Sequence, residues 1–170
     1  MGMLSSLPNV TWTVLTTIVT FVILHIIIEP YKARKRRRSE KLKNLYAPLY
    51  TMTVAKIRDY ALYTKEFPNG KMVFSIKTKP HYLADEYIIE FLLNNSGYAS
   101  KKLLFEIYGY VEALSKMELQ GSSGFVYVDS LVKIIVKEYN QLKKEMGDEF
   151  DQDELKTGIP KGIKEMLEKE

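Results

Sequence analysis

The first 43 residues impose the strictest constraint on this chain, because a long uncharged apolar run is followed at once by a dense basic block. Residues 10–28 hold 13 apolar residues, five threonines and one histidine, with no fixed charge. A helix of this length measures about 28 Å, close to the ~30 Å hydrocarbon core of a bilayer. Its many β-branched residues disfavour a helix in water, but lipid leaves the backbone no other hydrogen-bonding form. We predict a transmembrane helix over residues 10–28.

The basic block after this run predicts the orientation of the helix. Residues 31–43 contain eight Lys or Arg and one Glu, a local charge of +7. Because basic flanks stay in the cytoplasm, we predict one pass through the inner membrane, with residues 1–9 outside and a basic juxtamembrane segment at 29–43. Six basic side chains are predicted to contact anionic lipid headgroups, at about 1 kcal/mol for each that reaches the surface. They are Lys32, Arg34, Lys35, Arg36, Arg37 and Arg38.

Two other interpretations of this region are less favoured. A cleaved signal peptide would have positive charge before the apolar run and small residues after it, which is the reverse of the order here. A basic block can also bind nucleic acid. The membrane span alone accounts for this block, however, and residues 44–170 carry 17 basic and 19 acidic residues, a charge of −2. Nucleic acid is therefore not an expected partner.

Four threonines of the apolar run are predicted to share one helical face. At 100° per residue, Thr13, Thr16, Thr17 and Thr20 fall within about 100° of one another. Two interpretations stay open: either helices associate along this face and form homo-oligomers, or each hydroxyl bonds to a carbonyl of its own helix. An ionisable residue inside a span is a candidate functional residue, but the shallow position of His25 favours a neutral interfacial side chain.

Residues 44–146 are predicted to form one cytoplasmic domain of about four helices. Pro48 interrupts the first helical pattern, so we expect a kink or restart there, with Asn44 as a possible cap. Ser100 is the expected N-cap of the third helix. The predicted inward faces are Leu42, Leu45, Tyr46, Leu49, Met52, Thr53, Ile57 and Tyr60; Ala84, Tyr87, Ile88, Phe91 and Leu92; Leu104, Ile107, Tyr108, Val111 and Leu114; and Val128, Leu131, Val132, Ile135, Tyr139 and Leu142.

Residues 71–78 depart from this helical rhythm, because Met72, Phe74 and Ile76 alternate with polar or smaller neighbours. The alternation predicts a strand, yet no clear partner strand is visible in the chain. We expect an extended segment over the helices, or else an edge that pairs with a second copy. The first is favoured, because an unpaired edge promotes aggregation.

Acidic residues are interpreted as surface charges. Residues 147–170 are predicted to form an acidic linker and a short C-terminal helix, with a solvated cluster at Asp148, Glu149, Asp151, Asp153 and Glu154. The spacing of that cluster does not match a calcium loop. On the second predicted helix, Asp85, Glu86 and Glu90 are expected to lie on the polar face.

The sequence offers little for chemistry. Cysteine is absent, only two histidines occur, and the chain has no glycine-rich phosphate loop and no HExxH pattern. We therefore predict no catalytic residue, no metal ligand and no cofactor, and an enzyme is not the expected class.

The stretch KLKNLYAPLY, residues 41–50, follows the span and the basic block. In this arrangement, with its LYAPLY motif, the chain resembles uncharacterised bacterial and phage single-pass membrane proteins that have a short helical cytoplasmic domain. The resemblance covers about forty residues. It implies a bacterial or phage setting, but neither a reaction nor a functional residue.

Two hypotheses of function follow from these patterns. The first is a membrane-anchored cytoplasmic helical interaction module, an adaptor or sensor that recruits a protein partner to the inner membrane. The second is a membrane-acting effector or toxin, related to phage or defence, whose transmembrane helices oligomerise and permeabilise the bilayer.

Overall fold

A computed structural model describes residues 7–64, 67–76, 81–121 and 124–167. The protein is mainly helical and has one small two-stranded sheet, so the predicted fold class is confirmed at that level. The chain divides into two compact units, residues 1–38 and 39–170. Residues 1–6 of the predicted external segment lie outside the described residues.

In the first unit, an apolar helix is followed by a basic helix. Helix α1 (Leu7–Val22) is followed by a π-helical turn (Ile23–Ile28) and by α2 (Glu29–Lys41). Side chains from Trp12 to Ile27 are all exposed. Among the described residues, one helix is long and apolar enough to cross a membrane, judged by its length and composition alone.

The described residues contain two π-helical turns, and each ends two residues before a proline. Ile23–Ile28 precedes Pro30, and a second turn, Leu42–Tyr46, precedes Pro48. A proline inside a helix lacks an N–H, and its ring clashes with the carbonyl four residues earlier. A wider turn relieves this clash, because its hydrogen bonds reach five residues back instead of four. The helical path therefore passes each proline without a break.

At Pro48 the prediction was partly wrong. The Ala47 N–H bonds to the Leu42 carbonyl, and α3 (Ala47–Thr64) begins directly after the π-helical turn. Asn44 lies inside that turn and does not cap a helix, because its side chain donates to the Tyr98 hydroxyl at 3.2 Å. A π-helical turn accommodates the proline where a kink or restart was expected.

The second unit continues with short strands and helices around one core. In chain order these are β1 (Val73–Ser75), α4 (Asp85–Asn94), α5 (Lys101–Leu119), β2 (Phe125–Tyr127), α6 (Asp129–Met146), α7 (Gln152–Thr157) and α8 (Lys161–Leu167). Every one of these elements except α7 contributes an apolar side chain to the buried core, which includes Leu49, Ile57, Val73, Ile88, Leu103, Val126, Ile135 and Ile163.

The predicted inward faces hold for all four helices except at one residue, Tyr108 of α5. On α5 the cap is confirmed, because the Ser100 side chain accepts a hydrogen bond from the Leu103 N–H at 3.0 Å. The buried residues of α5 are Leu103, Ile107 and Tyr110, while Tyr108 is 70% exposed. The prediction for Tyr108 was wrong because this helix presents aromatic residues on opposite sides, and periodicity alone could not decide between them.

The strand prediction was right about extended structure and wrong about its partner. Val73–Ser75 pairs antiparallel with Phe125–Tyr127 of the same chain, with Phe74 opposite Val126. Val73 is buried together with Met72 and Phe74, so burial does not alternate along this segment. Residues 77 and 78 of the predicted strand lie outside the described residues. The intramolecular pairing removes the need for a second copy at this edge.

The acidic cluster near the C-terminus is not simply solvated. The Asp151 side chain accepts hydrogen bonds from the N–H groups of Asp153 and Glu154, so it caps α7. Glu154 is buried. The prediction was wrong for these positions, because the fold uses one carboxylate as a helix cap and another as an internal acceptor.

Candidate functional site

The six predicted lipid-contacting side chains all lie on α2 and are exposed. At about 100° per residue, basic positions between 32 and 38 point in every direction around the helix axis. A helix that lies flat on a membrane instead has one apolar and one basic face. This helix therefore carries a collar of positive charge, which can contact anionic groups at any rotation about its axis.

The threonine face lies within α1, and hydroxyls of this face bond to carbonyls of the same helix. Thr16 donates to the Trp12 carbonyl at 2.6 Å, and Thr17 donates to the Thr13 carbonyl at 2.8 Å. Each of these oxygens can still accept a hydrogen bond. With Thr20, the four threonines share one side of α1, so association of helices along this face stays a prediction.

His25 has a partner that sequence analysis did not identify. Its Nδ1 lies 2.9 Å from Glu29 Oε2, and its ring centroid lies 4.2 Å from that of Phe21. All three residues flank or belong to the first π-helical turn. The i, i+4 spacing of His25 and Glu29 was the available signal.

The second unit contains a buried ionic cluster around Lys56, a residue whose side chain has no exposed surface. Its Nζ donates to Asp85 Oδ1 at 2.5 Å and to the Leu83 carbonyl at 2.9 Å. The ammonium group also lies 5.4 Å from the centroid of the Phe74 ring. The signal in the sequence was position, since Lys56 falls beside Thr53 and Ile57 on the inward side of α3.

Asp85 is the centre of this cluster, and the prediction that it is an ordinary surface charge was wrong. Its Oδ1 also accepts a hydrogen bond from the Tyr110 hydroxyl. Its Oδ2 is buried without a hydrogen-bond partner among the described residues. Glu86 and Glu90, predicted alongside it, are exposed as expected. Asp85 differs because it occupies the first turn of α4, where its carboxylate contacts the buried Lys56 of α3.

The electrostatics of the cluster follow from burial. Burial lowers the pKa of Lys56, and the adjacent Asp85 carboxylate opposes that shift. Burial and the same carboxylate raise the pKa of the Tyr110 hydroxyl. Lys56 has no surface that a substrate could reach. The contacts of the cluster instead connect α3, α4 and α5 inside the second unit.

A second polar cluster surrounds the Glu154 carboxylate. It accepts hydrogen bonds from the Tyr50 hydroxyl at 2.9 Å, from Asn140 Nδ2 at 2.9 Å and from the Lys161 N–H at 2.8 Å. Burial and this carboxylate raise the pKa of Tyr50. The contacts join α3, α6 and the start of α8, which explains why the predicted linker is an integral part of the second unit.

A cavity of the second unit has a mixed lining. Its volume is about 590 Å³, and it lies beside the first turn of α6. Lys71 and Lys133 line it together with Glu106 and Asp129, so neither sign of charge dominates. Within the described residues, no three His, Asp or Glu side chains group together as a metal site requires.

No protein-family model, curated protein or solved structure matches this chain. Function therefore rests on the residues and contacts described above.

Proposed function

We propose that residues 10–28 cross the inner membrane, with the N-terminus outside and residues 39–170 in the cytoplasm. The observation that carries this proposal is the exposed apolar surface of α1 and the turn after it, where Trp12 is 69% exposed, Phe21 61% and Ile26 67%. Apolar surface in water costs about 25 cal/mol per Å², and large continuous patches mark membrane or protein contacts. A lipid environment removes that cost from every side of the helix at once.

The charge distribution of α2 supports the orientation. Its basic side chains surround the helix axis, so they suit a helix that passes through the headgroup layer more than one that lies along it. Anionic headgroups of the cytoplasmic leaflet are the proposed contacts of Lys32, Arg34 and the basic residues 35–38.

The proposed role of the second unit is to recruit a protein partner to this membrane, as an adaptor or sensor. Among its described residues the buried charged groups are Lys56, Asp85 and Glu154, and each makes an internal contact. What this unit offers to other molecules is its surface, and the anchor would confine that surface to the membrane. A protein partner is therefore the proposed ligand class.

The test is an exchange of spans in the full chain. Residues 10–28 are replaced by an unrelated leucine-rich span of equal length, with the basic residues retained, and a proximity-labelling enzyme is fused to the C-terminus. An adaptor is expected to label the same protein neighbours with either span, because recruitment depends on residues 39–170.

Two results would contradict the adaptor role. One is a set of labelled neighbours that changes with the span. The other is loss of membrane potential on expression of the native span but not of the leucine-rich span, which would indicate the permeabilising effector instead.

A further inference from the structure

The cavity beside the first turn of α6 has no part in the proposed recruitment role. Its walls come from the turn Pro68–Gly70 and the residue after it, from the interior of α5, and from the end of β2 with the start of α6. Its volume of about 590 Å³ lies within the range of about 300–1,000 Å³ that is usual for small-molecule sites. The cavity therefore has room for an amino acid or a short peptide.

Four charged side chains line this cavity, and two of them have contacts within the fold. Lys71 Nζ lies 5.6 Å from the centroid of the Tyr127 ring. Asp129 Oδ1 accepts a hydrogen bond from the Met72 N–H at 3.4 Å. One of these two side chains is a cation and the other an anion, so together they select neither sign of charge in a ligand.

Lys133 and Glu106 are the other two charged side chains, and they have no such contacts. Within the described residues, neither side chain makes a hydrogen bond or an ion pair, either with the other or with a third group. Lys133 is exposed and Glu106 is half-buried, so water can solvate both charges. A molecule that enters the cavity removes that water, and each charge then needs an opposite partner.

This need for partners selects the charge of the ligand. An anion would pair with Lys133 and leave Glu106 desolvated, and a cation would do the reverse. A neutral molecule would leave both charges without a partner. A zwitterion compensates both at once, with its carboxylate toward Lys133 and its ammonium group toward Glu106.

Gly109, in the interior of α5, leaves one wall of the cavity bare. It is exposed, and a Cβ added there would meet no atom within 4 Å, so packing within the fold does not require glycine. Glycine in a helix interior lowers stability relative to alanine. What the missing side chain provides is space in the cavity, where the Tyr127 ring is 48% exposed and can pack against an apolar group.

Asn69 holds another wall in place. Its φ is 56°, in the left-handed region that residues other than glycine rarely adopt. Its Nδ2 donates a hydrogen bond to the Tyr127 hydroxyl at 3.3 Å, which ties this turn to β2. A wall that is already ordered lowers the entropy lost when a ligand binds.

We infer that this cavity binds a small zwitterion of the amino-acid type, either a free amino acid or a short peptide. The carboxylate of the ligand contacts Lys133, its ammonium group contacts Glu106, and its apolar side chain packs on the Tyr127 ring. The inference goes beyond the proposed recruitment role and does not depend on it, because every lining residue lies in the second unit.

Thermal unfolding of the detergent-solubilised full chain tests the class of ligand. The probes are the standard amino acids, one at a time, and the dipeptide leucyl-leucine, each at about 10 mM. A probe present at about ten times its Kd is expected to raise the Tm by roughly 3–5 °C. A shift with a single amino acid indicates a free amino acid as the ligand, and a shift with leucyl-leucine alone indicates a peptide. The carboxamide and N-acetyl derivatives of that probe each lack one charge and should raise the Tm by less than about 1 °C.

Calorimetric titration of the probe with the largest shift locates the site. Lys133→Gln and Glu106→Gln should each weaken its binding at least about tenfold, because each removes one charged partner. Lys137→Gln on α6 and Glu118→Gln on α5 are the matched controls, since both residues are exposed and neither lines the cavity. Both controls should leave the Kd within about twofold of the native value.

A glycine substitution separates occupation of the cavity from folding. In Gly109→Leu the new side chain fills part of the cavity, so binding should be lost, while the Tm without ligand should not fall because leucine is the better helix former. Gly162→Leu on α8 is the matched control, because that glycine is also exposed with open space around it, and it should leave binding unchanged.

Four results would overturn the inference. The first is a Tm that no probe raises, and the second is a derivative lacking one charge that binds as tightly as its parent. The third is equal affinity of the Lys133→Gln and Lys137→Gln variants for the probe. The fourth is equal affinity of the Gly109→Leu and Gly162→Leu variants, which would place the bound probe outside this cavity.

Discussion

Removal of the Asp85 carboxylate is expected to destabilise the second unit severely. In Asp85→Ala, the buried Lys56 ammonium keeps the Leu83 carbonyl at 2.9 Å but loses the Asp85 carboxylate at 2.5 Å. Tyr110 loses its acceptor as well. Breaking a buried ion pair by removing one partner typically costs about 3–5 kcal/mol, a large part of the 5–15 kcal/mol that holds a domain folded.

The assay is urea denaturation of the detergent-solubilised full chain, followed by far-ultraviolet circular dichroism. Glu86→Ala is the matched control, because Glu86 is the next acidic residue on the same turn and is exposed; it should cost less than about 1 kcal/mol. An apolar replacement of the whole cluster, Lys56→Met with Asp85→Leu and Tyr110→Phe, is expected to recover most of the stability, because both buried charges and the hydroxyl are removed together and the remaining cost is the donor lost by the Leu83 carbonyl.

A pH signature distinguishes this mechanism from simple loss of packing. Burial lowers the pKa of Lys56 below that of the unfolded chain, so the unfolded state binds more protons in the range below pH 10.5. Stability therefore rises as the pH rises toward 10.5. Asp85→Ala should extend that rise to lower pH, because the carboxylate that opposes the shift most is removed and only the weaker influence of Glu86 and Asp59 is left. A loss of less than about 1 kcal/mol, or one that does not change between pH 7 and 9.5, would refute the described burial of Lys56.

Three further results are expected. Stability should fall above pH 10, because burial and neighbouring carboxylates raise the pKa of Tyr46, Tyr50 and Tyr110; their contribution is complete below the unfolded pKa of 10.0 and is lost progressively as the pH rises above it, which urea denaturation from pH 9 to 11 measures. Ser100→Ala should lower the free energy of unfolding by about 1 kcal/mol and the Tm by about 2–4 °C, because the N-cap of α5 is lost. Calorimetry measures the Tm, and an unchanged Tm would contradict the capping role. Glutamine in place of the six basic residues at 32 and 34–38 should give mixed membrane orientations, detected by protease treatment of intact spheroplasts; a uniform native orientation would contradict the role of the collar.

Features that depend on local periodicity were accessible from the sequence. The inward face of α6 was predicted from its 3.6-residue spacing, and Val132 and Ile135 are almost completely buried. The Ser100 cap was accessible for the same reason, because its partner lies three residues away. Pro48 predicted an interruption of the helix, but a proline does not by itself predict that a π-helical turn accommodates it.

Features that depend on contacts distant in sequence were not accessible. Each strand has only three residues, too few for a period, and pairing of Phe74 with Val126 depends on how the helices pack. The Lys56–Asp85 pair likewise joins two helices; the spacing of Lys56 places it on the inward side of α3, but its partner Asp85 could not be identified from local spacing. Glu154 was misread because its buried acceptor role needs Asn140 from another helix.

The central claim is that residues 10–28 cross the membrane and leave the second unit inside, and cysteine labelling tests it most directly. Because the chain lacks cysteine, Ser5→Cys and Lys137→Cys each introduce a single thiol, one on each side of the proposed span. An impermeant maleimide applied to intact spheroplasts is expected to label Ser5→Cys at once and Lys137→Cys only after the membrane is permeabilised. Labelling of Lys137→Cys in intact spheroplasts, or recovery of the chain in the soluble fraction without detergent, would contradict the account.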